Sequence, residues 1–316
     1  MTCRSVSKER MDDRTEQAWA AGFFDAEGWA AAVKSRRGTR PVAQINQADA
    51  SGVPEVLARF QAAVGVGRIG GPQRAPGKRD LYRWVASSRG DVVRAFEMLS
   101  PWLGAVKTTQ FADAVGPLVR PEYPSSADEE LAWAAGLFDG DGSTCFERHG
   151  TRSDYRRADM AVTQTSRTGV PEVLTRFHST VAVGHINGPY GGTARWEPVY
   201  RWKAHRLIDV QRVARVVWPW LGTVKRGQAS SVITVVAAQT PLARGNPAWG
   251  RNRSHCPKGH EFASVRKRPY RQRTSSGSAR RRGHRGCLLC LREYARRKRA
   301  EKQTSSSGKP PFESEA

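Results

Sequence analysis

Two short acidic segments carry the residue types and the spacing from which metal-assisted chemistry could arise. Phe24 to Gly28 reads FDAEG, and Phe138 to Gly142 reads FDGDG. Each is preceded by WAAG. The small residues Ala, Ala and Gly in it predict a helix that packs closely against another helix and ends at the acids. If the two helices cross at these small residues, Glu27 and Asp141 meet. Two carboxylates there could hold Mg²⁺, which lowers the pKa of a bound water and stabilises a leaving oxygen.

One copy of this pattern would be weak support, because Asp followed by Gly is also ordinary turn chemistry. An internal repeat strengthens it. The matched blocks are, in chain order, WAAGFFDAEG with WAAGLFDGDG, GVPEVLARF with GVPEVLTRF, VGRI with VGHI, YRW with YRW, and PWLGAVK with PWLGTVK. The distance between matched blocks drifts only from 114 to 118 residues. Because several blocks recur in register, the two acidic segments occupy equivalent positions of a duplicated unit.

The repeat predicts two homologous domains, residues 12–116 and 128–239. The proline-rich stretch over residues 117–127 is predicted to be the linker between them. Beyond them we expect a basic module over residues 250–302 and a disordered tail over residues 303–316.

Each domain has the same predicted order of elements. A helix, two paired strands, a second helix and two more strands precede a third helix, over Asp91 to Leu103 in the first domain. Pro101 interrupts that helix near its end. We therefore predict an α+β fold of two pseudo-symmetric αββαββα units. Their strands would lie side by side as a curved saddle with the helices behind, presenting alternate side chains to a DNA groove.

The charge of the chain points to a polyanionic partner. The 316 residues include 52 Lys and Arg against 29 Asp and Glu, a formal charge of +23, which favours nucleic acid over a merely solubilising basic surface. No window of eighteen apolar residues occurs, and the N-terminal residues lack the apolar stretch of a signal peptide. We therefore expect no membrane association and a location in the cytoplasm, at the nucleoid of a bacterial or phage-infected cell.

The segments AAGFFDAEG at residues 20–28 and AAGLFDGDG at residues 134–142 resemble two copies of the LAGLIDADG motif of homing endonucleases, in the single-chain, two-repeat form. The resemblance covers about residues 15–239. It implies a monomer that binds double-stranded DNA and acts as a metal-dependent endodeoxyribonuclease. Such an enzyme would hydrolyse both strands of a long, asymmetric target with Mg²⁺. Because the two strand surfaces differ in sequence, the two DNA half-sites are expected to differ as well.

The same resemblance assigns metal ligands. The second acid of each motif, Glu27 or Asp141, would bind the catalytic metal, with the backbone carbonyls of Ala26 and Gly140 facing it. The first acids would mainly support the helix ends; they are Asp25 and Asp139. Glu27 departs from the family, which more often has Asp there, and its extra methylene could displace one metal and leave one strand cut more slowly.

Further residues match positions at which the family carries active-site side chains. Gln47 and Gln164 follow the second strand of each repeat, where the family tends to have a polar residue. Lys107 and Lys225 match the lysine near the end of each repeat, which organises active-site water and the charge of the scissile phosphate. A solvated lysine after a helix is the ordinary alternative for both.

Groove contacts are predicted from the strands. The strand residues expected to face DNA are Lys34, Arg36, Arg37, Gln44, Asn46, Arg148, Arg152, Arg156 and Thr163.

The basic module contains a candidate zinc site. Residues 251–302 hold eighteen Lys or Arg against three Glu. Within them lie the half-sites Cys256 with His260 and Cys287 with Cys290, whose three thiolates and one imidazole suit tetrahedral structural Zn²⁺. His255 and His284 are possible substitute ligands, and free thiols are the alternative. The segment resembles the CPxGH and CxxC modules that accompany HNH nucleases, although no HNH catalytic set is present. Its predicted DNA-contacting residues are Arg280, Arg281, Arg282, Arg296 and Arg297.

Two other functions remain open from the sequence. A DNA-binding regulator could keep the fold without cutting, although its mark would be the loss of an acid, and both acids are present. An RNA-splicing maturase could use the same fold, in which case RNA would be the partner. Location of the gene in an intron, and promotion of its splicing, would identify the maturase.

Overall fold

The computed structural model of the protein describes residues 13–35, 38–120, 124–148 and 156–238, together with residues 268–272, 280–284, 293 and 296. The chain divides into two compact units, residues 1–239 and 240–316. Within the described residues, no helix is long and apolar enough to cross a membrane.

The first repeat has eight elements. They are α1 (Asp13–Glu27), β1 (Gly28–Ser35), β2 (Gly38–Asp49), α2 (Glu55–Val64), β3 (Arg68–Gln73), β4 (Asp80–Ala86), α3 (Arg89–Leu99) and α4 (Ala105–Val115). The second repeat has the same eight in the same order. They are α5 (Ala127–Asp141), β5 (Gly142–Arg148), β6 (Arg156–Thr165), α6 (Glu172–Val181), β7 (His185–Tyr190), β8 (Val199–Ala204), α7 (Leu207–Val217) and α8 (Thr223–Ala237). In the second unit, β9 (Arg268–Gln272) pairs with β10 (Arg280–His284) in antiparallel orientation.

Each repeat forms one four-stranded antiparallel sheet. The strand orders are β1-β2-β4-β3 and β5-β6-β8-β7, and the registers correspond, since Ile45 pairs with Trp84 and Val162 with Trp202. Both of these tryptophans are fully buried. Because side chains alternate along a strand, each sheet has one face packed on the helices and one face that is open. The predicted mixture of helices with antiparallel sheets, in two pseudo-symmetric copies, is confirmed.

The two repeats meet where α1 and α5 cross. A Cβ atom on Gly22 would lie 1.9 Å from the carbonyl oxygen of Trp133, and one on Gly136 would lie 1.9 Å from that of Trp19. Backbone therefore touches backbone at the crossing, which only glycine permits. The crossing fixes the relative position of the two helix ends a little more than one turn further along, where the acids lie.

The predicted αββαββα unit lacks one helix that the structure contains. The third helix ends at Leu99, before Pro101, and a separate fourth helix begins at Ala105. Proline cannot donate the backbone hydrogen bond that would continue α3, and Gly104 caps the start of α4. The unit is therefore αββαββαα. The added helices carry Lys107 and Lys225.

Candidate active site

Glu27 and Asp141 come together because each is the last residue of a crossing helix. At the meeting point, a Cβ atom on Gly140 would lie 2.4 Å from Ala26 Cβ and 3.0 Å from Glu27 Cγ. The side chain of Glu27 thus extends over a residue that has none. The absence of a side chain at position 140 is what gives the longer Glu27 carboxylate room beside Asp141.

The Asp141 carboxyl has a raised pKa. Burial, reinforced by the like charge of Glu27, raises the pKa of Asp141 from 3.8 to about 7, against the opposing effects of Lys107, Gln164 and Lys225. The Gln164 amide donates a hydrogen bond to Asp141 Oδ2. Burial and the neighbouring Glu27 charge thus disfavour ionisation of Asp141, and a bound cation would offset both effects.

Two lysines approach the site from the first turns of α4 and α8. Lys107 Nζ donates to the carbonyl oxygen of Gly28 at 2.5 Å, and Lys225 Nζ donates to that of Gly142 at 2.5 Å. Burial lowers the pKa of both ammonium groups, while neighbouring carboxylates, including Glu27 and Asp141, act to raise it. Each lysine therefore lies beside the residue that follows one of the two acids.

The first acids of the motifs face away from this pair. Asp25 accepts hydrogen bonds from the backbone N–H of Gly104 at 3.0 Å and from the indole of Trp133 at 2.9 Å. Asp139 does the same with Gly222 at 2.8 Å and Trp19 at 2.8 Å. Burial raises the pKa of both to about 6. Each carboxylate joins the start of its own repeat's lysine-bearing helix to a tryptophan of the other repeat.

Gln47 occupies the same register position as Gln164, since it pairs with Tyr82 where Gln164 pairs with Tyr200. The hydrogen bonds of the described residues include none between Gln47 and Glu27. Gln164 thus forms a hydrogen bond with Asp141, whereas Gln47, at the matching strand position, lacks the corresponding contact with Glu27.

The donor set of the pair suits a hard divalent cation. Among the described residues, no three His, Cys, Asp or Glu side chains form a metal-binding group, so the site offers two carboxylates and backbone carbonyls. Mg²⁺ is commonly held by one or two carboxylates, with water and substrate phosphate completing its shell. The two carboxylates therefore fit the oxygen ligands that Mg²⁺ prefers.

The open face of the first sheet carries a polar cluster. Asn46 Oδ1 accepts from Gln44 Nε2 at 3.0 Å and from Arg83 Nε at 2.9 Å. Gln44 is only 8% exposed and lines a shallow cavity with Arg40, Arg68 and Arg83. Trp29 and Val33 line that cavity. Lys34 is exposed, but because side chains alternate along β1, it lies on the opposite face of the strand.

The second sheet has a different open face. Thr163 Oγ1 accepts from Arg201 Nε at 3.2 Å, as Asn46 does from Arg83 in the first sheet. Lys203 forms a 3.0 Å ion pair with Asp159, and the rings of His185 and His205 lie 5.3 Å apart.

Neither arginine was predicted, because the repeated YRW triplet served only to mark the duplication. The alternation within it was the available signal. Tyr82 and Trp84 are buried, so Arg83 between them must point to the open face.

Several predicted residues lie outside the described part of the chain: Arg36, Arg37, Arg152, Cys256, His260, Cys287, Cys290 and Arg297. Arg148 is described only as part of β5, and Arg280, Arg281 and Arg282 only as part of β10. Arg156 is exposed at the start of β6, and Arg296 has helical backbone.

Comparisons with known proteins bear on the fold. No protein-family model matches the sequence, and no curated protein matches it significantly. Among solved structures, the LAGLIDADG meganuclease I-CpaMI bound to uncleaved DNA matches with a TM-score of 0.50 and 15% identity, over 70% of this chain and 92% of that one. The LAGLIDADG homing endonuclease I-GzeII in complex with its DNA target matches with a TM-score of 0.49 and 14% identity, over 72% and 94%.

At this identity the likeness concerns the fold alone. Over about 70% of its length, this chain has a fold similar to that of the LAGLIDADG meganuclease I-CpaMI.

Proposed function

We propose that the protein is a site-specific DNA endonuclease of the homing type. The observation that carries the proposal is the pairing of Glu27 and Asp141 at the ends of two crossing helices, flanked by Lys107 and Lys225. Two carboxylates and two ammonium groups around one point match the needs of phosphodiester hydrolysis, in which a metal and a cation stabilise charge on the phosphate. The solved structures of this fold named above are complexes with DNA.

Glu27 and Asp141 would hold Mg²⁺, with the carbonyls of Ala26 and Gly140 as further donors. When bound, the metal would activate water and stabilise the leaving oxygen. The ammonium groups of Lys107 and Lys225 would stabilise charge on the two scissile phosphates, one on each strand. Gln164 holds the Asp141 carboxylate in position through its hydrogen bond. Gln47 would orient water on the Glu27 side, where the longer side chain makes cleavage of one strand slower.

A long duplex with unlike halves is the proposed substrate. The open faces differ, with Gln44 and Asn46 in the first sheet and Thr163 in the second. Since both sheets belong to one chain, the protein would act as a monomer on a target that is not palindromic.

The basic residues 250–302 are proposed to be a second DNA-binding module. Cys256, His260, Cys287 and Cys290 would hold structural Zn²⁺ there. Arg280 to Arg282, with Arg296 and Arg297, would contact phosphates, which adds affinity without sequence information.

The test begins with selection of bound duplexes from a randomised pool without metal, followed by incubation of the selected DNA with Mg²⁺. We expect double-strand cutting by the wild type. Glu27→Gln and Asp141→Asn should bind the same DNA, but the cleavage rate of at least one strand should fall by about a hundredfold or more. Glu97→Gln is the matched control, because Glu97 is an exposed acid on α3 that forms a 3.5 Å ion pair with Arg94.

Tight and specific binding without cleavage, in either Mg²⁺ or Mn²⁺, would contradict the nuclease and favour a regulator. Recovery of RNA rather than duplex DNA from a mixed pool would favour the maturase.

A further inference from the structure

The helices that carry the two lysines begin without a side-chain cap of their own. The N-cap residues of α4 and α8 are Gly104 and Gly222, which have no side chain to accept the first backbone N–H groups. The N–H groups of the two glycines themselves need partners within the protein, because both glycines are buried. Asp25 and Asp139 accept the N–H of the cap residue itself. The next N–H groups are satisfied by side chains from further away.

The next donor of α8 is bound by the first repeat. Glu55, the first residue of α2, accepts from the backbone N–H of Thr223 at 3.2 Å and also from its hydroxyl. One turn along α2, Arg59 Nη1 donates to the carbonyl oxygen of Trp220 at 2.5 Å. Both contacts fall within five residues of Lys225 in sequence. Neither comes from the repeat that contains Lys225.

The second repeat holds α4 in the same way. Glu172, the first residue of α6, accepts from the N–H of Ala105 at 3.3 Å. Arg176 Nη1 donates to the carbonyl oxygen of Trp102 at 2.5 Å. The start of the helix that carries Lys107 is therefore bound by residues of the other repeat, and the arrangement occurs twice with equivalent residues.

Both arginines are fixed by further contacts. Arg59 forms a two-point ion pair with Glu16 at 2.8 and 2.9 Å, and its guanidinium lies 3.9 Å from the ring centroid of Trp19. That indole donates to Asp139, the acceptor for the N–H of Gly222. The Arg59 guanidinium thus contacts the residues just before α8 directly, at Trp220, and indirectly through Trp19 and Asp139.

Arg176 repeats the pattern with Glu130 at 2.9 and 2.8 Å and with Trp133 at 3.9 Å. The indole of Trp133 donates to Asp25, which accepts the N–H of Gly104. A planar guanidinium can make the ion pair, the ring contact and the carbonyl contact at the same time, and a lysine cannot.

We propose that Arg59 and Glu55 are positioning residues for Lys225, and that Arg176 and Glu172 are positioning residues for Lys107. Each half of the active site is then completed by the other repeat. The inference that this affects DNA cleavage rests on the proposed nuclease function, whereas the positioning itself does not. Substitutions at these positions of one repeat would therefore alter the position of the lysine in the other repeat.

The first test measures hydrogen exchange of the intact, DNA-free protein by peptide mass spectrometry. We expect Arg59→Met to speed exchange of the first turn of α8, residues 223–228, by about tenfold and to leave residues 105–110 of α4 unchanged. Arg176→Met should do the reverse. Equal loss of protection in both turns, or in neither, would overturn the proposal.

Milder variants guard against loss of folding. Glu55→Gln and Glu172→Gln keep the shape of the side chain and weaken only its acceptor, so they should give the same selective pattern with smaller change. Arg59→Lys keeps the charge but should restore less than half of the lost protection. Arg94→Met is the control, because Arg94 lies exposed on α3 and forms a 3.5 Å ion pair with Glu97. It should leave hydrogen exchange of both turns unchanged.

The second test follows the two strands of the selected duplex with different end labels. Arg59→Met should slow cleavage of the strand that Lys225→Met slows, by about tenfold relative to the other strand. Arg176→Met should act on the strand that Lys107→Met slows. A variant that slowed both strands equally would show a general structural effect and contradict the pairing. If the wild type cuts nothing, the nuclease proposal fails, while the exchange experiment still decides the positioning.

Discussion

Asp141 is the residue whose surroundings connect the fold most directly with the proposed chemistry. Burial and the Glu27 charge raise its pKa to about 7. A metal ligand must be deprotonated, so at the proposed Mg²⁺ site protons would compete with the metal for this carboxylate near neutral pH.

This competition predicts a pH profile that depends on the metal concentration. At limiting Mg²⁺, the single-turnover cleavage rate should rise about tenfold per pH unit below pH 7 and level off above it. At saturating Mg²⁺ the midpoint should move to lower pH, because bound metal favours the carboxylate. The measurement is the cleavage rate across pH at two Mg²⁺ concentrations. A midpoint that stays fixed would show that another group controls the rate.

The same raised pKa predicts a stability gain from Asp141→Asn. The folded-state pKa lies above the unfolded value of 3.8, so the fold favours the neutral form. The associated stability is fully present below about pH 4 and is lost as the pH rises toward 7. Asparagine keeps a neutral amide at every pH. We expect Asp141→Asn to raise the free energy of unfolding by roughly 1–3 kcal/mol at pH 8 without metal, and by little at pH 4.

Thermal unfolding at the two pH values measures this difference. Glu97→Gln, remote from the site, should show no such dependence on pH. A gain from Asp141→Asn that is equal at both pH values would point to packing rather than to charge.

At the scale of elements, the sequence predicted what local pattern controls. The small residues of WAAG predicted a close helix crossing, and the structure places Gly22 against Trp133 there. The prediction of one third helix, interrupted by the proline of the PWLG block, was wrong. In the structure α3 ends before this block and a separate helix, α4, begins at Ala105. Glycine N-caps provide no side-chain signal of a helix start, so α4 and α8 could not be read from capping residues.

The contacts between repeats were beyond any local pattern. Arg59 and Trp220 lie 161 residues apart in the chain. Nothing in the composition of α2 shows that its first turn reaches the other repeat, because a Glu and an Arg on an amphipathic helix are typical of a solvated face. The acids were predicted from the duplicated acidic segments and the lysines from the family resemblance. Glu55, Arg59, Glu172 and Arg176 lie in the repeated blocks GVPEVLARF and GVPEVLTRF, which marked only the duplication.

The helix crossing predicts opposite effects for two glycine substitutions. In Gly22→Ala the new methyl would lie 1.9 Å from the Trp133 carbonyl, so the helices must separate. We expect a loss of more than about 3 kcal/mol in the free energy of unfolding, or failure to fold. Gly227→Ala in α8 meets nothing within 4 Å and should stabilise the protein by up to about 1 kcal/mol, because alanine favours a helix. Urea denaturation compares the two. Similar stability of both variants would mean that α1 and α5 separate at little cost.

On the scale of the whole molecule, the two open faces are related but not alike. An arginine of each YRW triplet binds the neighbouring strand in both sheets, at Asn46 in one and Thr163 in the other. The second sheet adds a Lys203–Asp159 ion pair at the position where the first has Val85 and Val42. The fold is thus duplicated more closely than its surface, which is what the proposed recognition of two unlike half-sites would require.

The distribution of charge predicts how the two units divide the binding energy. Residues 251–302 carry eighteen Lys or Arg against three Glu, whereas the carboxylates and lysines of the proposed active site all lie in residues 1–239. A protein truncated after residue 239 should therefore fold and, at saturating enzyme, cut its target at an unchanged rate. Its affinity should fall, and the dependence of log Kd on log salt should lose about 0.9 for every phosphate that the basic residues no longer contact.

Fluorescence anisotropy across a salt series measures that slope for both lengths of chain. Chelation of zinc separates the role of charge from that of the proposed metal site. If Zn²⁺ orders the basic residues, a chelator should weaken DNA binding by the full chain and leave the truncated one unaffected. A slope that is the same for both lengths would assign all phosphate contacts to residues 1–239, and a fall in the saturated cutting rate on truncation would show that the second unit takes part in the reaction itself.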